Sequence, residues 1–187
     1  EDIPGFAGKI FEESQRLIVP VNDIIKISQL DEGGIPYHKE EIDLYEMAEE
    51  VLGRLEEPAR KKHLNLQLLG EHVKIGGVRM ILDEVIYNLC DNAVKYNREN
   101  GTVIVRVKRD RKGTQLVVAD TGIGIAKEHQ GRVFERFYRV DKSHSKSIGG
   151  TGLGLSIVKH GAAFLGAAVE LDSRPDEGTV VTLTWKS

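Results

Sequence analysis

The stretch Val78-Arg-Met-Ile-Leu82-Asp-Glu-Val85-Ile86-Tyr-Asn88-Leu89-Cys90-Asp-Asn92-Ala93-Val-Lys95-Tyr96 decides how the rest of the chain is read. Leu82, Val85, Ile86, Leu89 and Ala93 recur at helical spacing and form one apolar face. Asn88 and Asn92 stand four apart on the opposite face, which Lys95 and Tyr96 extend. A helix apolar on one side needs a partner layer, and the flanking sequence supplies strands. Val103–Lys108 and Leu116–Ala119 read as a hairpin turning at Asp110–Gly113, and Ala168–Asp172 with Thr179–Trp185 as a second, turning at Arg174–Glu177. Leu64–Leu69 alternates as another strand, and Pro36–Asp43 reads as an edge strand. Leu44–Lys62 reads as a helix with Val51, Leu52, Leu55 and Ala59 inward, although Pro58 argues for an end near there, and a last helix is expected over about Gly152–Leu165. Helices interspersed with hairpins predict an α+β fold, a two-layer α/β sandwich whose mixed sheet is covered on one face by helices.

Before this unit, residues from about Ile3 to Leu30 read as a long N-terminal helix, with Ile10, Leu17, Val21, Ile24 and Ile25 in one stripe. Pro20 removes a backbone donor and clashes with the carbonyl of Arg16, so a kink or break is expected there. Gly33-Gly34 mark a boundary, dividing the chain into 1–33 and 34–187.

Composition narrows the class. The 187 residues are 40% hydrophobic and 29% charged, close to soluble globular averages. A net charge of −3 gives no general reason to expect nucleic acid as a partner. No apolar run approaches the ~20 residues needed to cross a bilayer, and nothing reads as a signal peptide. The single cysteine, Cys90, precludes an internal disulfide and reads as a small packed side chain. The chain opens at Glu1 rather than methionine, so a longer parent is expected.

Four short boxes carry the chemistry. The first is the polar face Asn88, Asn92, Lys95 and Tyr96; an asparagine carbonyl is a neutral hard oxygen suited to Mg²⁺ that also takes phosphate oxygens. The second is Asp120-Thr121-Gly122-Ile123-Gly124-Ile125, where a carboxylate that only accepts hydrogen bonds precedes two glycines that permit close backbone approach. Standing alone, it would be a plain Asp-Gly turn. The third, Phe134-Glu-Arg136-Phe137-Tyr138-Arg139, interleaves aromatics with arginines that fit a phosphate lid or a solvated face. It leads into a polar, basic loop over Val140–Gly149, expected to be mobile. The fourth, Gly150-Thr151-Gly152-Leu153-Gly154-Leu155, runs into a helix whose first amides suit a phosphate. No P-loop, Rossmann glycine pattern, His-Arg-Asp or Asp-Phe-Gly is present, which excludes the P-loop and Ser/Thr/Tyr kinase readings.

In order and spacing these boxes resemble the ATP-binding domain of sensor histidine kinases, within the superfamily that includes gyrase-type and MutL-type ATPases. The resemblance covers nearly the whole chain and implies a Bergerat-type ATP-binding fold. Residues 1–33, through Arg16–Ile25, resemble the second helix of the dimerisation and phosphoacceptor hairpin. What it implies for the site is that Asn92 ligates magnesium, Lys95 contacts phosphate, Tyr96 packs beside adenine, Asp120 accepts from the adenine 6-amino group and Thr179 helps hold the base. A strand-forming threonine explains Thr179 equally well. Asn88, Asn92 and Lys95 are the candidate catalytic residues. The candidate ATP-binding set adds Tyr96, Asp120, Gly122, Gly124, Ile125, Arg136, Phe137, Arg139, Gly150, Thr151, Gly152, Leu153, Gly154, Leu155 and Thr179. ATP and Mg²⁺ are the implied cofactors. The implied partners are the kinase's own hairpin, a response regulator receiver domain and a second subunit, with the domain cytoplasmic in a membrane-anchored bacterial kinase.

Two departures matter. Gyrase-type relatives carry a glutamate where this chain has Asn88, an amide that cannot activate water, so hydrolysis should be slow. Gly76-Gly77 stand before the long helix where the family has an acidic second residue, and a looser turn is expected. None of the six histidines sits in a His-Glu/Asp-x-x-x-Pro setting, so the resemblance implies an acceptor helix that is expected ahead of Glu1. The alternatives are an ATPase that couples hydrolysis to conformational change, and a degenerate kinase serving as an interaction module.

Overall fold

The computed structural model describes residues 37–140 and 150–186, with Val21, Ile24, Ile25 and Ser28. Those four residues are helical, as the N-terminal stripe predicts, and the three apolar ones are exposed. The remainder of that helix, with Pro20 and the Gly33-Gly34 boundary, lies outside the described residues. Among the described residues the elements run β1 (Glu40–Asp43), α1 (Leu44–Lys61), β2 (Asn65–Gly70), β3 (Lys74–Gly77), α2 (Arg79–Lys95), β4 (Thr102–Asp110), β5 (Gly113–Asp120), α3 (Lys127–Gln130), α4 (Gly154–Phe164), β6 (Ala167–Arg174) and β7 (Gly178–Trp185).

Period-two alternation builds the main sheet, in the order β2-β4-β5-β7-β6. β2 runs parallel to β4, pairing Leu66 with Val103, and the other neighbours are antiparallel, so the sheet is mixed as expected. Val103, Val105, Val107, Leu116, Val118, Val181 and Leu183 are buried on one face. α1, α2 and α4 bury their own apolar faces in the same core, giving a two-layer sandwich. α2 packs against both α1 and α4, which makes it the centre of the helical layer.

Local chemistry sets the element ends. The Asp43 carboxylate accepts from the N–H groups of Tyr45 and Glu46 and caps α1, a contribution of about 1 kcal/mol. As the helical reading of Leu44–Lys62 expects, α1 runs to Lys61, with Pro58 inside it near its end. The proline removes the N–H that would meet the Arg54 carbonyl, and burial of Leu55 and Ala59 on either side holds the helix in place. Gly76-Gly77 do not form a loose turn; they belong to β3, which pairs with β1 in a separate two-stranded sheet. A Cβ at Gly77 would fall 3.3 Å from the Leu165 side chain, so the second glycine allows close packing there.

α2 and α4 approach each other through Gly161, where a Cβ would lie 2.5 Å from Cγ2 of Val85 and 3.3 Å from Cγ2 of Ile81. Both neighbours are short, β-branched and buried, so neither can swing aside. Gly161→Ala is therefore expected to destabilise the domain by about 1–3 kcal/mol through overpacking, read as a lower urea midpoint at unchanged m-value.

Candidate nucleotide site

The polar face of α2 looks onto the start of α4. Asn88 Nδ2 donates to the carbonyl of Glu84 at 2.8 Å, which aims its own carbonyl oxygen outward. A Cβ placed on Gly154 would lie 2.9 Å from Asn88 Oδ1 and 3.7 Å from Asn92 Nδ2. Glycine at that position lets the fourth box settle on the two amides. Lys95 closes the face through an ion pair with Asp91 at 2.6 Å, one helical turn back. Tyr96 follows as the helix C-cap, and its hydroxyl would be 3.3 Å from a Cβ at Gly150.

Asp120 ends β5, and its Oδ1 accepts the Gly122 N–H at 2.8 Å. Burial pushes this carboxyl above its ordinary value, partly offset by N–H groups donated from Gly122 and Thr179. The loop that follows is wedged on both sides. A Cβ at Gly122 would lie 2.4 Å from the Tyr96 carbonyl oxygen, and Ile123 N–H donates to that same oxygen. Gly124 has φ +67°, and a Cβ there would fall 1.9 Å from the Arg174 carbonyl oxygen. Only glycine meets both demands.

Residues that sequence patterning did not single out hold this loop. Asn97, buried, donates to the Thr102 carbonyl and accepts from Arg98 N–H and the Thr121 hydroxyl. Ser173, also buried, accepts the Ile125 N–H at 2.8 Å and lies 2.8 Å from the Thr179 hydroxyl. Gln130 Nε2 donates to the carbonyls of Ile125 and Ser173 at 2.9 and 2.7 Å. At the surface Arg98 pairs with Asp176, whose N–H donates to the Ile123 carbonyl.

The third and fourth boxes meet at the backbone. Phe137 N–H donates to the Gly152 carbonyl at 3.0 Å, and Gly152, at φ +75°, has the Phe137 backbone within 2.9–3.2 Å of where a Cβ would stand. Phe137 itself has φ +63° and is 56% exposed, whereas Phe134 is half-buried. His129 bonds the Tyr138 hydroxyl at 2.7 Å, and the Arg132 guanidinium covers that ring. Arg136 is exposed and Arg139 half-buried. Thr151 Oγ1 accepts the Leu153 N–H. Leu153 is fully buried with Ile157, which leaves its backbone to face a ligand, and Leu155 is half-buried against the main core. Segment 141–149, the rest of the polar loop, lies outside the described residues.

Residues 77–187 match the family model for histidine kinase-, DNA gyrase B- and HSP90-like ATPases. The chain belongs to this ATPase family. It is 37% identical over 181 residues to the sensor-like histidine kinase SenX3 of Mycolicibacterium smegmatis, covering 96% of this chain and 47% of that protein. It is 33% identical to the sensor histidine kinase WalK of Bacillus subtilis, covering 97% of this chain and 30% of the relative. Among solved structures it resembles the mycobacterial sensor histidine kinase MprB, with 28% identity, a TM-score of 0.69, and coverage of 80% of this chain and 97% of that one. The chain thus spans a third to a half of the length of these curated relatives. It carries the ATP-binding catalytic domain of the sensor histidine kinase type. Among the described residues no helix is long and apolar enough to cross a membrane.

Proposed function

We propose that this ATPase-family domain binds Mg·ATP between the Asn88/Asn92 face and the Asp120/Thr179 floor, and donates the γ-phosphoryl to a histidine on the parent protein's dimerisation hairpin. A response regulator aspartate then receives it. The parent is a membrane-anchored, dimeric sensor kinase with this domain on the cytoplasmic side. One observation carries the reading: the two amides of α2 lie against Gly154 at the opening of α4, so the Asn88 oxygen, the Asn92 amide and helix-start N–H groups are grouped at one spot.

The residues divide the work. Asp120 and Thr179 take the base, Tyr96 lies beside it, and the Gly122 and Gly124 backbone approaches it closely. The Gly150–Gly154 amides and Lys95 take phosphate oxygens, with Arg136 and Arg139 on the lid side. Asn92 fits magnesium as a single neutral oxygen ligand, leaving the remaining positions to phosphates and water. When bound, the ion neutralises charge on the phosphates. Asn88 occupies the position of a water-activating carboxylate and, as an amide, takes no proton from water. Positioning and charge stabilisation then favour transfer to a better nucleophile.

Titration with a non-hydrolysable ATP analogue and magnesium should show saturable binding. ATP should be turned over only slowly, and the chain should gain no acid-labile phosphate, since none of its histidines has the acceptor setting. Absence of binding would favour the interaction-module reading, and rapid steady turnover would favour the hydrolytic ATPase.

A further inference from the structure

Ser173 lies on β6, one strand away from the nucleotide face, yet it is only 7% exposed and its hydroxyl sits among three polar groups. The Ile125 N–H points at it from 2.8 Å. The Gly178 carbonyl oxygen lies at 2.9 Å and Thr179 Oγ1 at 2.8 Å. A serine hydroxyl has one proton to give and two lone pairs to fill. Gly178 O can only accept and Ile125 N–H can only donate. With the serine proton on Gly178 O, the remaining lone pair is left for Thr179, which must donate its own hydroxyl proton to Ser173. Thr179 then has lone pairs alone to show a ligand. Its backbone N–H is already committed to the Asp120 carboxylate. Gln130 clamps the arrangement by donating to the carbonyls of both Ser173 and Ile125.

We propose that Ser173 is a positioning residue that sets base preference at this site: by taking the hydroxyl proton of Thr179, it makes Thr179 and Asp120 face the base as two hydrogen-bond acceptors. Such a pair matches a purine bearing an amino group at position 6 and rejects one bearing an oxo group there, because facing acceptors are left unpaired. This rests on the nucleotide reading above and extends it from a contact residue to the residue that orients it.

Calorimetric titration of the chain with ADP, inosine diphosphate and magnesium tripolyphosphate tests the proposal in wild type, Ser173→Ala, Ser173→Thr, Thr179→Val and the Ser173→Ala/Thr179→Val double variant. Ser173→Ala should weaken ADP about five- to tenfold, the worth of one misdirected hydrogen bond. Inosine diphosphate should change by less than about twofold on the same reasoning, and tripolyphosphate not at all. Ser173→Thr keeps the hydroxyl and should restore the ADP preference. Thr179→Val should lower the preference alone, and adding Ser173→Ala should lower it no further. Equal weakening of all three ligands would show a merely structural serine and overturn the proposal. So would an unchanged ADP-to-inosine-diphosphate ratio in either Ser173→Ala or Thr179→Val, and the valine variant supplies that answer even if the alanine variant fails to fold. Wild type failing to bind ADP defeats the nucleotide reading; wild type binding with a flat ratio across the variants defeats only the role of Ser173.

Discussion

Asn92→Ala should abolish magnesium-dependent nucleotide binding while leaving the melting temperature within a few degrees of wild type. Asn92 lies on the polar face of α2, half-buried, away from the Leu82, Val85, Ile86 and Leu89 side that holds the core. Alanine is the better helix former, so the substitution costs the helix nothing. What disappears is the single amide oxygen proposed for magnesium, opposite the opening turn of α4. Loss of one charge-assisted contact is worth about 1.5–3 kcal/mol, and with the ion no longer anchored the affinity for Mg·ADP should fall about 100-fold. Titration of both proteins with and without magnesium reads this directly. Wild type should bind more tightly with the ion present, and the variant should bind equally weakly in both buffers. A variant that kept the magnesium dependence would move the metal to other ligands.

The sheet and α2 were legible because their signals are local. Alternation in Val103–Val107 and Leu116–Val118 needs only a period of two, and the α2 stripe only a period of 3.6. The boxes were legible for a related reason: glycines at 122, 124, 152 and 154 stand where backbone or side-chain atoms leave no room for a Cβ, and that demand shows in the sequence itself. Tertiary relations were not legible. β3 is four residues long, contains two glycines and pairs across 31 to 37 positions with β1, so no strand pattern announces it. Pro58 signals only a nearby helix end, because its cost is local, whereas the burial that carries α1 past it to Lys61 comes from the sheet beneath. Ser173, Gln130 and Asn97 escaped for the same reason. Each is a common polar residue whose role lies in hydrogen bonds to partners 5 to 48 positions away. Lys95 was placed on the correct face, but its ion pair with Asp91 is a contact that only the folded helix reveals.

Asp120→Asn should separate binding from stability. Asparagine keeps an oxygen that can accept the Gly122 N–H, so the turn that Asp120 organises survives. The amide also presents a donor where the proposed adenine contact needs an acceptor, and two facing donors repel. ADP affinity should therefore drop about 100-fold, the worth of a charged hydrogen bond lost and a donor left unpaired, while tripolyphosphate binding is unaffected. Stability should move the other way. Burial raises the Asp120 carboxyl above its ordinary 3.8, so the folded state holds this proton more tightly than the unfolded chain. The stability linked to that proton is fully present below the unfolded value and is lost as pH rises through the raised one. The wild type thus carries a buried charge at neutral pH that the asparagine variant lacks. The variant should melt at an equal or higher temperature at pH 7, and its advantage should vanish as pH falls below the raised Asp120 value. Wild-type ADP binding should weaken over the same acidic interval, starting at a higher pH than an exposed aspartate would dictate. A binding curve flat through that interval would remove Asp120 from the base contact; a lower melting temperature for the variant at pH 7 would mean that the two N–H bonds to the carboxylate outweigh its desolvation.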